Sequence, residues 1–193
     1  GFVWYQGWND GCEPRTAVPE YERNLVNFIK DVRKDLKAPK LPFVIAAMGQ
    51  NGSKPAAGAM LTIREAQLSM NDVPEFKGNV KAFRTDVLVD KAAEVLYPTW
   101  QKNLEQWKFT GGDHGYHYLG SAIWFNRIGH AMGEAMIGGQ IDLAAHDLGR
   151  VGAPAPERLS VGVLLGQRLG QMRGRAFRPR LGGIAVGLVP ARP

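Results

Sequence analysis

Gly1-Phe2-Val3-Trp4-Tyr5-Gln6-Gly7-Trp8-Asn9-Asp10 is the stretch on which the reading of the fold turns. Aromatic and β-branched residues from Phe2 to Gln6, stopped by Gly7, read as a short buried strand. Gly7 to Pro19, rich in Gly, Asn, Asp and Pro, reads as the loop that leaves it. From Glu20 to Leu36 the residues Tyr21, Leu25, Phe28, Ile29, Val32 and Leu36 recur at helical spacing. Lys and Arg crowd the end of that helix, where they complement its dipole. Leu41 to Met48 is a second apolar run, closed by Gly49, and has the continuous hydrophobicity of a parallel strand covered on both faces.

The alternation continues. The polar loop Gln50–Pro55 leads to a predicted helix over 56–70, a third strand over 80–85 and a loop over 86–91. Residues 97–108 read as partly helical. A last helix is predicted from about Leu119 to Ile137, with Gly129 and Gly133 one turn apart and expected to allow close packing. Strand, helix, strand, helix, strand, helix is the pattern of a layered α/β fold with a parallel sheet. In such sheets ligands bind beyond the carboxyl ends of the strands, so the residues after Gln6 are the first place to look for chemistry.

Composition sets the class. The chain has 193 residues, 45% apolar and 22% charged, the proportions of an ordinary globular protein. No apolar run approaches the ~20 residues that a membrane-spanning helix needs, and no membrane partner is expected. The net charge of +6 suggests a nucleic-acid binder, but its distribution does not. Residues 1–137 hold 16 Lys and Arg against 15 Asp and Glu, whereas residues 138–193 hold 8 Arg, no Lys and 3 acids. The domain is therefore expected to span 1–137. The Gly- and Arg-rich remainder, 138–193, reads as a disordered or out-of-frame tail without the aromatic interleaving of a nucleic-acid surface. An apolar strand at the very first residue suggests a chain cut inside a domain. The single Cys12 precludes an internal disulfide and is expected to be an idle thiol.

Two motifs carry candidate chemistry. In Gln6-Gly7-Trp8-Asn9-Asp10 the glycine lets the backbone approach a ligand, and Asn9 can supply a side-chain N–H. A backbone amide plus an amide side chain is a common way to hold the oxyanion of acyl transfer, although most Gly-x-Asn-Asp strings are turns. In Asp113-His114-Gly115-Tyr116-His117-Tyr118-Leu119-Gly120-Ser121-Ala122 a His at a helix entry can act as general base with a carboxylate to orient it, or simply as a solvated or capping residue. His114 and His117 lack the Cys or Glu neighbours of a zinc site, so neither a metal nor another cofactor is expected.

In this order, about 110 residues apart, the two motifs resemble later blocks of the SGNH hydrolases, and the wording is closest to the sialate O-acetylesterase-like carbohydrate esterases. The resemblance runs over roughly residues 1–137. It includes the Trp-Tyr-Gln-Gly strand end, the segment Glu20 to Pro42 with its helix, and Tyr-His-Tyr-Leu-Gly-Ser-Ala. It implies a three-layer α/β/α fold, here incomplete at the N-terminus, and a serine hydrolase that releases acetate from acetylated carbohydrate. It further implies an oxyanion hole of Gly7 and Asn9, His117 as catalytic base, Asp113 as its orienting carboxylate, and substrate contacts from Gln6, Trp8 and Tyr116. Two departures stand out: Trp8 occupies a position where many members have Glu, and the usual triad Asp position, three before the His, is His114.

The nucleophile block, Gly-Asp-Ser or Gly-Gln-Ser after the family's first strand, is not found. The four serines are Ser53, Ser69, Ser121 and Ser160, and none follows an apolar strand through a Gly-x-Ser-x-Gly elbow. The fragment is therefore expected to be inactive, the alternative being a carbohydrate-binding remnant that stacks sugars on Trp8 and Tyr116. Trp4 and Tyr5 are expected in the core. Nothing in the sequence signals an oligomeric state.

Overall fold

A computed structural model describes residues 1–138, so the expected tail falls, from residue 139 on, outside the described residues. They fold as three strands and six α-helices, β1 (Phe2–Trp4), α1 (Trp8–Gly11), α2 (Ala17–Asp35), β2 (Phe43–Ala47), α3 (Gly58–Leu68), β3 (Val80–Arg84), α4 (Lys91–Leu96), α5 (Leu104–Thr110) and α6 (Ala122–Met136), with short 3-10 turns between them. The strands form one parallel sheet in the order β1-β2-β3, the α/β arrangement of an SGNH fold. No helix among the described residues is long and apolar enough to cross a membrane.

The first compact unit comprises Gly1–Met48 and Ala57–Phe83. β2 is its spine. All five of its residues are buried, which explains why the run reads as uniformly apolar rather than alternating. β1 pairs with it in the register Phe2 to Phe43, Val3 to Val44 and Trp4 to Ile45. α2 lays Tyr21, Leu25, Phe28 and Ile29 into the core with Trp4, Phe43, Ile45, Ile63, Met70 and Phe76. Its last turn differs from expectation. Leu36 is exposed, and the inward position is taken by Arg33, whose guanidinium bonds Leu41 O at 3.0 Å and Asn79 O at 3.3 Å. A charged group is tolerated there because it satisfies carbonyls at the entrances of two strands.

The second unit comprises Gly49–Ala56 and the described residues from Arg84 onward. α6 buries Trp124, Ile128, Ala131, Met132 and Ala135, a single helical stripe. Its start is fixed by Ser121, whose Oγ accepts the Trp124 amide at 3.2 Å while donating to Asp90 Oδ2 at 2.6 Å. Asp90 Oδ1 in turn accepts the amides of Ala92 and Ala93 at 3.0 and 3.3 Å, so one buried carboxylate serves the starts of both α4 and α6.

Three expectations need correction. Gly7–Pro19 is not all loop: it contains α1 and the start of α2, because Gly7 releases the chain directly into a helical turn closed by Gly11 N to Gly7 O at 3.0 Å. α4 falls partly in the predicted 86–91 loop and partly beyond it, its N-cap being the only local signal. Gly129 and Gly133 make no close approach: a Cβ at either meets nothing within 4 Å among the described residues. Of the two aromatic residues expected in the core, Trp4 is fully buried and Tyr5 half-buried.

Candidate functional site

In the first unit, Gln6, Gly7, Trp8 and Asn9 lie together at the junction from β1 to α1. The junction is held from beneath by a buried polar network. Tyr21 Oη donates to Gln6 O at 2.8 Å, and Gln67 Nε2 donates to the same carbonyl at 2.6 Å and to Tyr21 Oη at 2.9 Å. Gln67 Oε1 accepts the Met48 amide at 2.8 Å, which ties the ends of β1 and β2 to one side chain. Burial pushes the Tyr21 phenol far above its ordinary range, so it remains a neutral donor.

Gly7 fits because it has no side chain. Its φ is +155°, and a Cβ there would lie 2.8 Å from Ile63 Cγ2 and 3.1 Å from Gln67 Nε2. It is buried, and its N–H bonds no acceptor among the described residues. Asn9 is exposed, the second residue of α1. Trp8 is half-buried and packs against the core. The Gln6 side chain is turned to the interior, with Nε2 donating to the fully buried Asp10 Oδ2 at 2.6 Å.

In the second unit, Asp113, Tyr116 and His117 lie together on the loop before α6. His117 Nδ1 is 3.0 Å from Asp113 Oδ2. An ionised carboxylate only accepts, so Nδ1 carries the proton and Nε2 presents its lone pair, the tautomer a general base needs. The four-residue spacing reaches this distance through an unusual backbone. Tyr118, Leu119 and Gly120 are all left-handed, with φ of 55°, 59° and 61°, and Asp113 N closes the loop on Leu119 O at 3.2 Å. Two non-glycine residues in that region cost roughly 1–3 kcal/mol each. The turn is held by Tyr118, a buried side chain whose hydroxyl accepts the Gly49 amide at 2.9 Å and whose ring stands 4.8 Å from Trp124.

The His114 amide, donating at 2.7 Å, is the main reason the Asp113 carboxyl lies below the usual carboxylate range, with His117 adding to it and desolvation opposing. Because the folded value is depressed, what the ionised carboxylate contributes to the loop is present above 3.8 and is lost as pH falls through the depressed value. We expect the Asp113 carboxyl carbon to titrate, by carbon NMR, below 3.8. In His117→Ala the midpoint should rise only part of the way, since the His114 amide remains. A midpoint at or above 3.8 in the wild-type chain would contradict this arrangement.

Ser121 Oγ is buried and bonded to Asp90. Ser69 Oγ bonds Ala66 O at 3.0 Å and Glu22 at 3.1 Å at the end of α3. Ser53 is exposed in an ion-pair cluster with Lys91 and Glu94, and Cys12 is exposed. No group of three His, Cys, Asp or Glu side chains able to hold a metal occurs among the described residues. Sequence reasoning read Tyr21 only as part of an apolar helix face and passed over the roles of Asp90 and Gln67. Gln67 had a signal: it is a polar residue on the apolar face that also carries Ile63 and Met70.

Residues 1–94 match the family described as carbohydrate esterase, sialic acid-specific acetylesterase, a match that takes in the Gly7–Asn9 junction and ends before the Asp113–His117 loop. No curated protein and no solved structure matches the chain. The match over residues 1–94, with their Trp-Tyr-Gln-Gly strand end and the buried network beneath it, supports a domain of the sialic acid-specific acetylesterase type of carbohydrate esterase.

Proposed function

We propose that this chain carries the oxyanion-binding and proton-transfer groups of a serine-dependent esterase that removes acetyl groups from carbohydrates, and that its nucleophile is not among the four serines present. The observation that carries this reading is the His117–Asp113 pair, with Nε2 left as the basic nitrogen. It is supported by the Gly7 N–H, which has no acceptor among the described residues, and by the exposed amide of Asn9.

In the proposed reaction a serine Oγ attacks the acetyl carbonyl as His117 Nε2 takes its proton. The Gly7 amide and the Asn9 side chain stabilise the oxyanion, the kind of preorganised donation that contributes about 3 kcal/mol per group. Collapse of the intermediate expels the sugar oxygen, which takes the proton from His117. Water, deprotonated by the same imidazole, then releases acetate from the acetyl-serine. Gln6 contributes by fixing the junction through Asp10 rather than by reaching the sugar, while Trp8 offers a ring face to it.

For residues 1–193 alone the expected result is no release of acetate from an aryl acetate above the uncatalysed rate. A fluorophosphonate should likewise leave every serine unlabelled by mass spectrometry. Labelling of Ser53 or Ser160 together with acetate release would place the nucleophile inside the chain and sink the proposal. The absence of a serine set up as a nucleophile also favours a second reading, a carbohydrate-binding chain without hydrolysis, in which sugar quenches Trp fluorescence and no ester is cleaved.

A further inference from the structure

A chain of aromatic rings runs through the second unit to the imidazole of His117. It starts from Trp107, a buried side chain covered by Gly111, where a Cβ would lie 2.3 Å from the indole. Tyr97 leans on it at 5.7 Å and Trp100 at 6.4 Å between ring centroids. Trp100 meets His114 edge-on at 6.3 Å, His114 stacks on Tyr116 at 5.2 Å with only 16° between planes, and Tyr116 stands 4.5 Å from His117. Burial falls along the series. Trp107 is enclosed and Trp100 half-buried, whereas His114, Tyr116 and His117 are exposed.

We propose that Trp100, His114 and Tyr116 form a carbohydrate-stacking subsite that takes a pyranose ring neighbouring the acetylated one. A pyranose has a face of C–H groups, slightly positive, and a rim of hydroxyls. Aromatic faces are negative at the centre, and these particular rings carry an indole N–H, imidazole nitrogens and a phenol at their edges to meet the hydroxyls. A run of rings with polar rims, half-buried at Trp100 and exposed at His114 and Tyr116, anchored on a buried Trp and ending at the imidazole of the candidate base, suits an oligosaccharide better than an aliphatic ligand. The placement of the acetyl group next to this subsite rests on the esterase reading; the stacking itself does not.

The test is calorimetric titration of the full chain with partially acetylated xylotetraose and with O-acetylated sialyllactose. At least one probe should bind. Its affinity should fall about tenfold in Trp100→Ala and in Tyr116→Ala, the scale of one lost aromatic contact, and stay unchanged in Phe109→Ala, an exposed aromatic outside the series. Tyr116→Ala keeps the test valid should Trp100→Ala unfold, because Tyr116 is exposed at the surface. Unaltered affinity in folded Tyr116→Ala, or no binding of either sugar, would overturn the subsite. Acetate release is a separate readout: ring variants that lose sugar in a chain that never hydrolyses would sustain the subsite and remove only the esterase reading.

Discussion

Gly7→Ala is expected to lower the stability of the chain by about 3 kcal/mol in chemical denaturation, a large loss for a single methyl group. Two effects add. At φ +155° an alanine is forced into backbone space that L residues rarely adopt, and its Cβ arrives 2.8 Å from Ile63 Cγ2 and 3.2 Å from Met48 Cγ. Neither neighbour can retreat easily, since Ile63 and Met48 belong to the same packed cluster as Trp4 and Ile45. The amide of Gln67 is 3.1 Å away, so relief by movement in that direction breaks the bonds that Gln67 makes to Gln6 O and Tyr21 Oη. Gly129→Ala in α6 is the control. With nothing within 4 Å and a helical backbone, it should be neutral or stabilise by about 1 kcal/mol. Equal effects of the two substitutions would show that the junction at Gly7 is not as tightly built as its contacts imply.

The contrast between these glycines shows what was legible in the sequence. β1 and β2 could be read because each is a short apolar run, and α2 because its buried residues keep helical spacing. Which glycine is packed too tightly to carry a side chain could not be read. Gly7 and Gly129 look alike in one dimension, and only the positions of Ile63 and Met48 distinguish them. The same holds for α2's last turn, where helical periodicity assigned Leu36 inward although the carbonyls of Leu41 and Asn79 draw in Arg33 instead. Asp90 reads as a loop residue and Ser121 as part of the last helix, and their shared role appears only when α4 and α6 start beside each other. The left-handed turn at Tyr118 and Leu119 runs against local preference altogether. Tertiary contacts impose it, and backbone held in that way tends to occur at functional loops.

His117→Ala, made in a chain extended upstream to include a Gly-Asp-Ser or Gly-Gln-Ser strand end, is expected to lower kcat for acetate release about ten-thousandfold or more. The serine then has no acceptor for its proton, and the leaving sugar oxygen has no donor. Asp113→Ala should be milder, about ten- to a hundredfold, because its pair with His117 is open to water and such pairs contribute little beyond orientation. Asp113 is held below the ordinary carboxylate range, mainly by the His114 amide, so it meets His117 Nδ1 as an ionised acceptor that orients the ring. Hydrolysis within tenfold of the parent in His117→Ala would remove this residue from the mechanism, and the Gly7 and Asn9 donors would then need a different base.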